Sequence, residues 1–284
     1  GIWKWLPPRL ARLLIMLPPL KKPLPPLPPV LPAKGEQRAR VALFTGCVAD
    51  ALFRHSHWAT ARVLQENGCE VVVPPAQRCC GAIHFHAGQA EPAQDFADQN
   101  LAAFTDPEYA DVDAILVNVA GCGAMLKDYG HHWQDAQQPA RQALANKIKD
   151  VSEFLDELGL IPPAGEIRAK ATYHDACHLA HAQQVRDQPR NLLQQIPGLH
   201  MEELPESELC CGAAGTYNLT EPEMAGRLSQ RKMGNIAKTG ADLVITANAG
   251  CLMQIACEAR LQDRPLKIMH PMDVLDRSYR GLPL

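Results

Sequence analysis

Arg78-Cys79-Cys80-Gly81 recurs as Leu209-Cys210-Cys211-Gly212. Each copy has a lone cysteine upstream, Cys47 or Cys177, with 31 and 32 residues intervening. Each has another downstream in an Ala-Gly-Cys setting, Cys122 or Cys251, after 41 and 39 residues. Eight of the ten cysteines therefore form two matched sets of four. Four thiolates at one point bind a soft metal or an iron–sulfur cluster. Zinc sites usually draw on tight Cys-x-x-Cys pairs, which this chain lacks. The wide spacing suits a larger object held between several loops, and a 4Fe–4S cluster needs four ligands. Two such sets point to a chain that carries electrons.

Elements must bring those cysteines together. In the first copy, Arg40–Phe44 reads as a strand ending at Gly46-Cys47, and Ala51–Asn67 as a helix with Gly68 as its C-cap. Glu70–Val73 is a short strand before the Cys-Cys-Gly turn, Pro92–Phe104 a helix, and Asp113–Val117 a strand leading to Cys122 and another helix. The second copy repeats the scheme. Strands are expected at 170–173, 200–203 and 242–246, with a helix after Cys177 and another at 221–239. A last strand, 266–269, and a helix, 271–280, close the chain.

Strands alternating with helices predict an α/β fold: two pseudo-symmetric copies of a parallel-sheet βαβ unit with helices on both faces, each with a Cys-Cys-Gly loop. Sites in such sheets form beyond the carboxyl ends of the strands. Every matched cysteine follows a strand, so all eight should gather at one edge of their sheets. Gly81 and Gly212 would let adjacent cysteines face one site, and Gly46, Gly121 and Gly250 would allow close approach to the sulfurs. Cys69 and Cys257 have no counterpart and read as small core residues. His84, His86, His174, His178 and His181 flank the sets as hydrogen-bonding or supporting groups. His178, beside Cys177, is the first choice among them for a ligand.

With 284 residues, the chain has room for two domains. The expected division is 1–37 as a proline-rich segment, 38–160 as the first cysteine-rich domain and 161–284 as the second. A net charge of −3 argues against nucleic-acid binding. With 46% hydrophobic and 21% charged residues, the composition is that of an ordinary globular protein. A disulfide framework is the competing reading of ten cysteines, but adjacent cysteines pair poorly with each other. A reduced, cytosolic setting fits better. No Gly-x-Gly-x-x-Gly or Walker pattern suggests nucleotide binding.

Residues 1–34 hold ten of the 24 prolines. The run 10–17 is apolar but too short to span a bilayer. The segment reads as a stiff linker following an upstream region. The second reading is a membrane-surface anchor built on Trp3, Trp5, Leu10, Leu13 and Leu14 with Lys4, Arg9 and Arg12.

Four stretches carry a family resemblance: residues 120–130 (AGCGAMLKDYG), 173–183 (YHDACHLAHAQ), 209–217 (LCCGAAGTY) and 245–251 (ITANAGC). Over about residues 38–280 the chain resembles the duplicated cysteine-rich (CCG) region shared by heterodisulfide reductase and its relatives. Within that group it most resembles the iron–sulfur subunit of glycolate oxidase. The resemblance implies an electron-transfer subunit with one or two 4Fe–4S clusters, held by Cys47, Cys79, Cys80 and Cys122 and by Cys177, Cys210, Cys211 and Cys251. It implies an FAD-containing partner that oxidises glycolate to glyoxylate. Electrons would pass on to a membrane quinone, from a cytoplasmic location or the inner face of the cytoplasmic membrane. The alternative is a heterodisulfide-reductase-like subunit, or one serving lactate or glycerol-3-phosphate dehydrogenation, whose cysteine-rich domains are themselves the catalyst. Two departures stand out. The ferredoxin-like region expected upstream is absent, so the chain reads as a piece of a longer pattern. Val119 and Asn248 also stand where the fullest family pattern has a fifth cysteine.

Overall fold

Val41-Ala42-Leu43-Phe44 lies at the centre of a sheet with both faces covered. Val41 and Leu43 enter one core, Ala42 and Phe44 another, as strand alternation and burial on two sides require. The computed structural model describes residues 5, 14–19 and 24–284. The first sheet contains β1 (Val30–Leu31), β2 (Ala39–Phe44), β3 (Cys69–Val72), β4 (Ala114–Val117) and β5 (Ile148–Asp150), in the order β1-β3-β2-β4-β5. Only β1 runs antiparallel to its neighbour. The second contains β6 (Ala169–Tyr173), β7 (Leu199–Glu202), β8 (Leu243–Ile245) and β9 (Lys267–Met269), all parallel, in the order β7-β6-β8-β9. Setting β1 aside, the two orders are the same. The fold is α/β with helices on both faces of each sheet, and the duplication read in the cysteines extends to strand order.

The halves exchange helices. The helix Pro271–Tyr279, which closes the second half, packs on Arg54–Glu66, the long first helix of the first. Val151–Leu158, which closes the first half, packs on Gln188–Leu193 of the second. One core therefore spans both sheets, joining Leu43, Leu64 and Leu155 to Tyr173, Leu193 and Leu275. Polar contacts mark the same seam. Arg62 reaches Asp276 through two bonds of 2.7 Å, and Ser56 Oγ donates to Asp273 at 2.8 Å.

Several elements depart from the sequence expectation for visible reasons. The single helix 51–67 is two, Val48–Leu52 and Arg54–Glu66. Phe53 leaves helical geometry between them (φ −129°, ψ 30°) and packs against Ala249 and Leu252 of the other half. Gly68 follows the helix end with φ +75°, as a terminating glycine should. The helix expected after Cys177 is instead a π-helical turn, His178–Ala182. It delivers the Gln183 side chain to Ala120 O across the seam at 2.9 Å. β5 and the helix Val151–Leu158 lie outside the sequence expectation, although Asp150 and Glu153 form a capping box there.

The proline-rich segment lies along the first half from residue 24. Trp58 Nε1 donates to Pro25 O at 2.9 Å, and β1 pairs with β3. Trp3, Lys4, Arg9, Leu10, Arg12 and Leu13 of the anchor reading lie outside the described residues. Trp5 is exposed and Leu14 half-exposed. Among the described residues no helix is long and apolar enough to cross a membrane.

Candidate functional site

Cys47 follows β2 and precedes the helix Val48–Leu52. Cys79 and Cys80 sit between β3 and the helix Ala82–His86. Cys122 lies in the first turn of the helix Ala120–Lys127, just after β4. Three strand ends thus deliver four sulfurs. Cys47 Sγ and Cys79 Sγ are 3.2 Å apart, and Cys80 pairs with Cys122. Gly81 turns the chain with φ +82°, and its N–H points at Cys79 Sγ from 3.5 Å. The Cys-Cys backbone is clamped from behind. Asn100 Nδ2 donates to Cys79 O and Tyr129 OH to Cys80 O, both at 2.9 Å.

The second half repeats this plan. Cys177 follows β6, Cys210-Cys211 follows β7, and Cys251 lies in the first turn of the helix Ala249–Leu261 after β8. Cys177 pairs with Cys210, and Cys211 with Cys251. Gly212 adopts φ +90°, with its N–H 3.3 Å from Cys210 Sγ. Ser229 Oγ donates to Cys211 O at 3.0 Å, in the manner of Tyr129 on Cys80 O. This set is the more buried. Cys211 and Cys251 are both enclosed, whereas Cys47 of the first set is exposed.

Crowding splits the acidities of the thiols. A hydrogen bond with Cys79, then burial, pushes Cys47 up. A hydrogen bond with Cys210, then burial, pushes Cys177 up. Cys210 is held far below an ordinary thiol by hydrogen bonds from Cys177 and Cys211. Cys251 is held down by Cys211, with help from His174 and Asn248. Protons are thus shared among sulfurs that cannot all ionise together. A cationic centre removes that conflict, because it takes every sulfur as thiolate. Cys251 also sits in the first turn of a helix, where the peptide dipoles favour thiolate. The donor sets therefore fit a thiolate-bound metal or cluster. Lys232 strengthens the fit in the second half. It is 1% exposed, its Nζ donates to Ser207 O at 3.1 Å, and burial lowers it to about 8.

The two sets face each other across the seam. Ala120 N donates to Ala247 O at 3.1 Å, and Gly121 N to Asn248 Oδ1 at 3.3 Å. The rings of His86 and His178 are 6.1 Å apart, one from each half. His178 Nδ1 lies 3.5 Å from Cys177 Sγ. The histidine carried deepest into a cysteine set is a different one, His174. Its side chain is fully enclosed, and its ligating atom and those of Cys211 and Cys251 lie within 4.8 Å of one another.

The structure brings all eight predicted cysteines to their two sets. Cys69 and Cys257 are buried elsewhere in the cores. Sequence reasoning missed Asn100, Tyr129, Ser229, Lys232 and the depth of His174. Buried polar residues on otherwise apolar helix faces were the available signal, and only the fold shows what they reach.

Two α/β halves of matched strand order, each delivering four cysteines to one edge, define the class: a duplicated cysteine-rich α/β protein. Residues 41–127 and 171–256 each match the cysteine-rich domain CCG, and the chain belongs to that family. It is 40% identical over 261 residues to the probable glycolate oxidase iron–sulfur subunit of Bacillus subtilis (strain 168), covering 90% of this chain and 58% of that protein. It is 34% identical over 247 residues to lactate utilization protein A of Oceanobacillus iheyensis, covering 85% and 98%. The chain thus spans little more than half of the first relative and nearly all of the second. Among solved structures, a hypothetical protein from Helicobacter pylori shares the fold. Its TM-score is 0.53 at 13% identity, over 86% of this chain and 49% of that one.

Proposed function

We propose that this chain is the iron–sulfur, electron-transferring part of a system that oxidises a small 2-hydroxy acid such as glycolate or lactate. The observation that carries this reading is the convergence of eight cysteines into two facing four-sulfur sets. The names of the two curated relatives support it from the outside. Cys47, Cys79, Cys80 and Cys122 hold one centre; Cys177, Cys210, Cys211 and Cys251 hold the other. A bound 4Fe–4S cluster supplies reversible one-electron storage. The chain's own residues fix the sulfurs, shield Cys211 and Cys251 of the second set from water and leave the first set open at Cys47. Two domains, 38–160 and 161–284, follow a proline-rich segment 1–37, and each domain interval holds one full run of the matched strand order.

Oxidation of the 2-hydroxy acid is assigned to an FAD-containing partner, and electrons leave towards a membrane quinone. The first test is iron and acid-labile sulfide per chain after anaerobic purification, with an EPR spectrum of the same sample. Cys80→Ser and Cys211→Ser should each lower iron content and stop electron transfer from the partner. Reduction of the partner's flavin by glycolate should persist. Full iron and full activity in both variants would sink the proposal.

A further inference from the structure

His174 turns a buried ring nitrogen towards the second cysteine set, and among the described residues no histidine forms such a group with two cysteines of the first. The chain enters this position directly from β6, so the ring is carried on the end of a sheet strand rather than on a loose loop. Its Nδ1 lies 3.0 Å from Ser207 O. A carbonyl only accepts, so Nδ1 carries a proton and Nε2 is the ring nitrogen left to face the sulfurs. That Nε2 is completely buried and makes no hydrogen bond of normal geometry; it faces the sulfur of Cys251, whose thiolate the ring favours. A buried polar atom left unsatisfied costs roughly 1–3 kcal/mol, so it calls for a partner. The ligating atoms of His174, Cys211 and Cys251 lie within 4.8 Å of one another, the one such group among the described residues. The arrangement is that of a metal-bound imidazole, which typically donates its other N–H to a backbone carbonyl and so fixes the ring. Lys232 donates to the same Ser207 carbonyl and holds that acceptor in place.

The geometry points to His174 as a nitrogen ligand of the second centre beside Cys211 and Cys251, taking one of its four positions, so that one of Cys177 and Cys210 stays outside it and the four-cysteine assignment above is revised for that half. The matched position in the first half offers no ring, because Thr45 follows β2 where His174 follows β6. The two centres therefore differ in donor set. Imidazole in place of thiolate leaves a centre less negative and easier to reduce. The second, buried centre is then the higher-potential one, and electrons run from the open first set to the enclosed second. His178, next to Cys177, is not the ligand. It is only partly buried, and its Nδ1 faces a cysteine sulfur at 3.5 Å.

This inference rests on the iron-centred reading above, and wild-type chain that takes up no iron would count against that reading alone. The experiment uses the full chain, loaded anaerobically with iron and sulfide and reduced. Pulsed EPR should show strong nitrogen hyperfine coupling, and growth on nitrogen-15 histidine should convert it to the heavier isotope's pattern. The coupling should vanish in His174→Ala and survive in His178→Ala. The midpoint potential of one of the two centres should fall in His174→Ala. The isotope experiment needs no variant, so the inference stays testable if His174→Ala fails to fold. Iron-loaded wild type without histidine coupling, or coupling that persists in His174→Ala, would overturn it.

Discussion

Asn248 Nδ2 donates to Cys251 Sγ across 3.4 Å, three residues along the chain. The same amide accepts from Gly121 N of the other half at 3.3 Å, next to Cys122. One side chain thus touches a sulfur of the second set and the backbone of the first. Val119 holds the matched position in the first half and offers no such group. A hydrogen bond to sulfur stabilises the more negative, reduced state of a thiolate-bound centre. Asn248→Val puts the first half's residue at this position. It should keep iron content, lower the midpoint potential of the second centre and remove about 1 kcal/mol of stability with the lost amide bonds. An EPR-monitored redox titration checks it, and an unchanged potential would show that the amide does not act on a reducible centre.

Gly212 has φ +90°, and a Cβ there would lie 2.5 Å from Ala225 O. Strain and collision act together at the residue that aims both Cys210 and Cys211. Gly215 has φ +63° but open space around it. Gly215→Ala should cost about 1 kcal/mol from the left-handed backbone alone. Gly212→Ala should cost on the order of 3 kcal/mol or more, because backbone must shift as well. Denaturant unfolding of the two variants side by side decides it, and equal costs would show that the turn yields freely.

Much of this was legible in the sequence, because thiols at matched spacings are rare and apolar runs such as Val41–Phe44 announce buried strands. The eight cysteines, the parallel sheets and the helix Ala90–Thr105 followed from those signals. The exchange of closing helices did not. An amphipathic helix such as Pro271–Tyr279 declares that one face is buried, not whose core receives it. The break at Phe53 depends on Ala249 and Leu252, which are some 200 residues away in the chain. His174 and His178 look alike in sequence, and only the π-helical turn and the Ser207 carbonyl separate their roles.

The seam between the halves is tested at Arg62. Its guanidinium makes two bonds of 2.7 Å to Asp276, whose side chain is 6% exposed. Removing the cation strands a nearly buried carboxylate, with only Arg280 left at 3.4 Å. Arg62→Met should therefore cost about 2 kcal/mol, less than for a fully buried pair because Arg62 itself is partly exposed. Arg62→Met with Asp276→Leu should recover most of that loss, because no unpaired charge remains. Chemical denaturation of the single and double variants checks both. A double variant that stays as far below wild type as the single one would mean that the ion pair contributes more than its desolvation costs.

His270 sets an acid limit on the fold. Burial, only partly offset by its bond to the Asn118 carbonyl, lowers it to about 3. Its ring is fully used as neutral imidazole. Nε2–H donates to Asn118 O at 2.8 Å, and Nδ1 accepts from Met272 N at the start of the last helix. The folded value lies below the unfolded one, so between about 3 and 6.5 the unfolded chain binds the extra proton. The contribution of His270 to stability is complete above that window and is lost as pH falls through it. Asp150 acts in the opposite sense, because burial raises it to about 6 and the folded state then holds the proton. The wild-type pH curve mixes the two, so the test is a difference between variants. His270→Asn keeps an acceptor for Met272 N but cannot titrate. It should be about 1 kcal/mol less stable than wild type at pH 7, from the lost bond to Asn118. Towards pH 4 the difference should move in the variant's favour by on the order of 3 kcal/mol. Denaturant unfolding at stepped pH measures it, and parallel curves for the two proteins would mean that His270 is not held neutral by the fold.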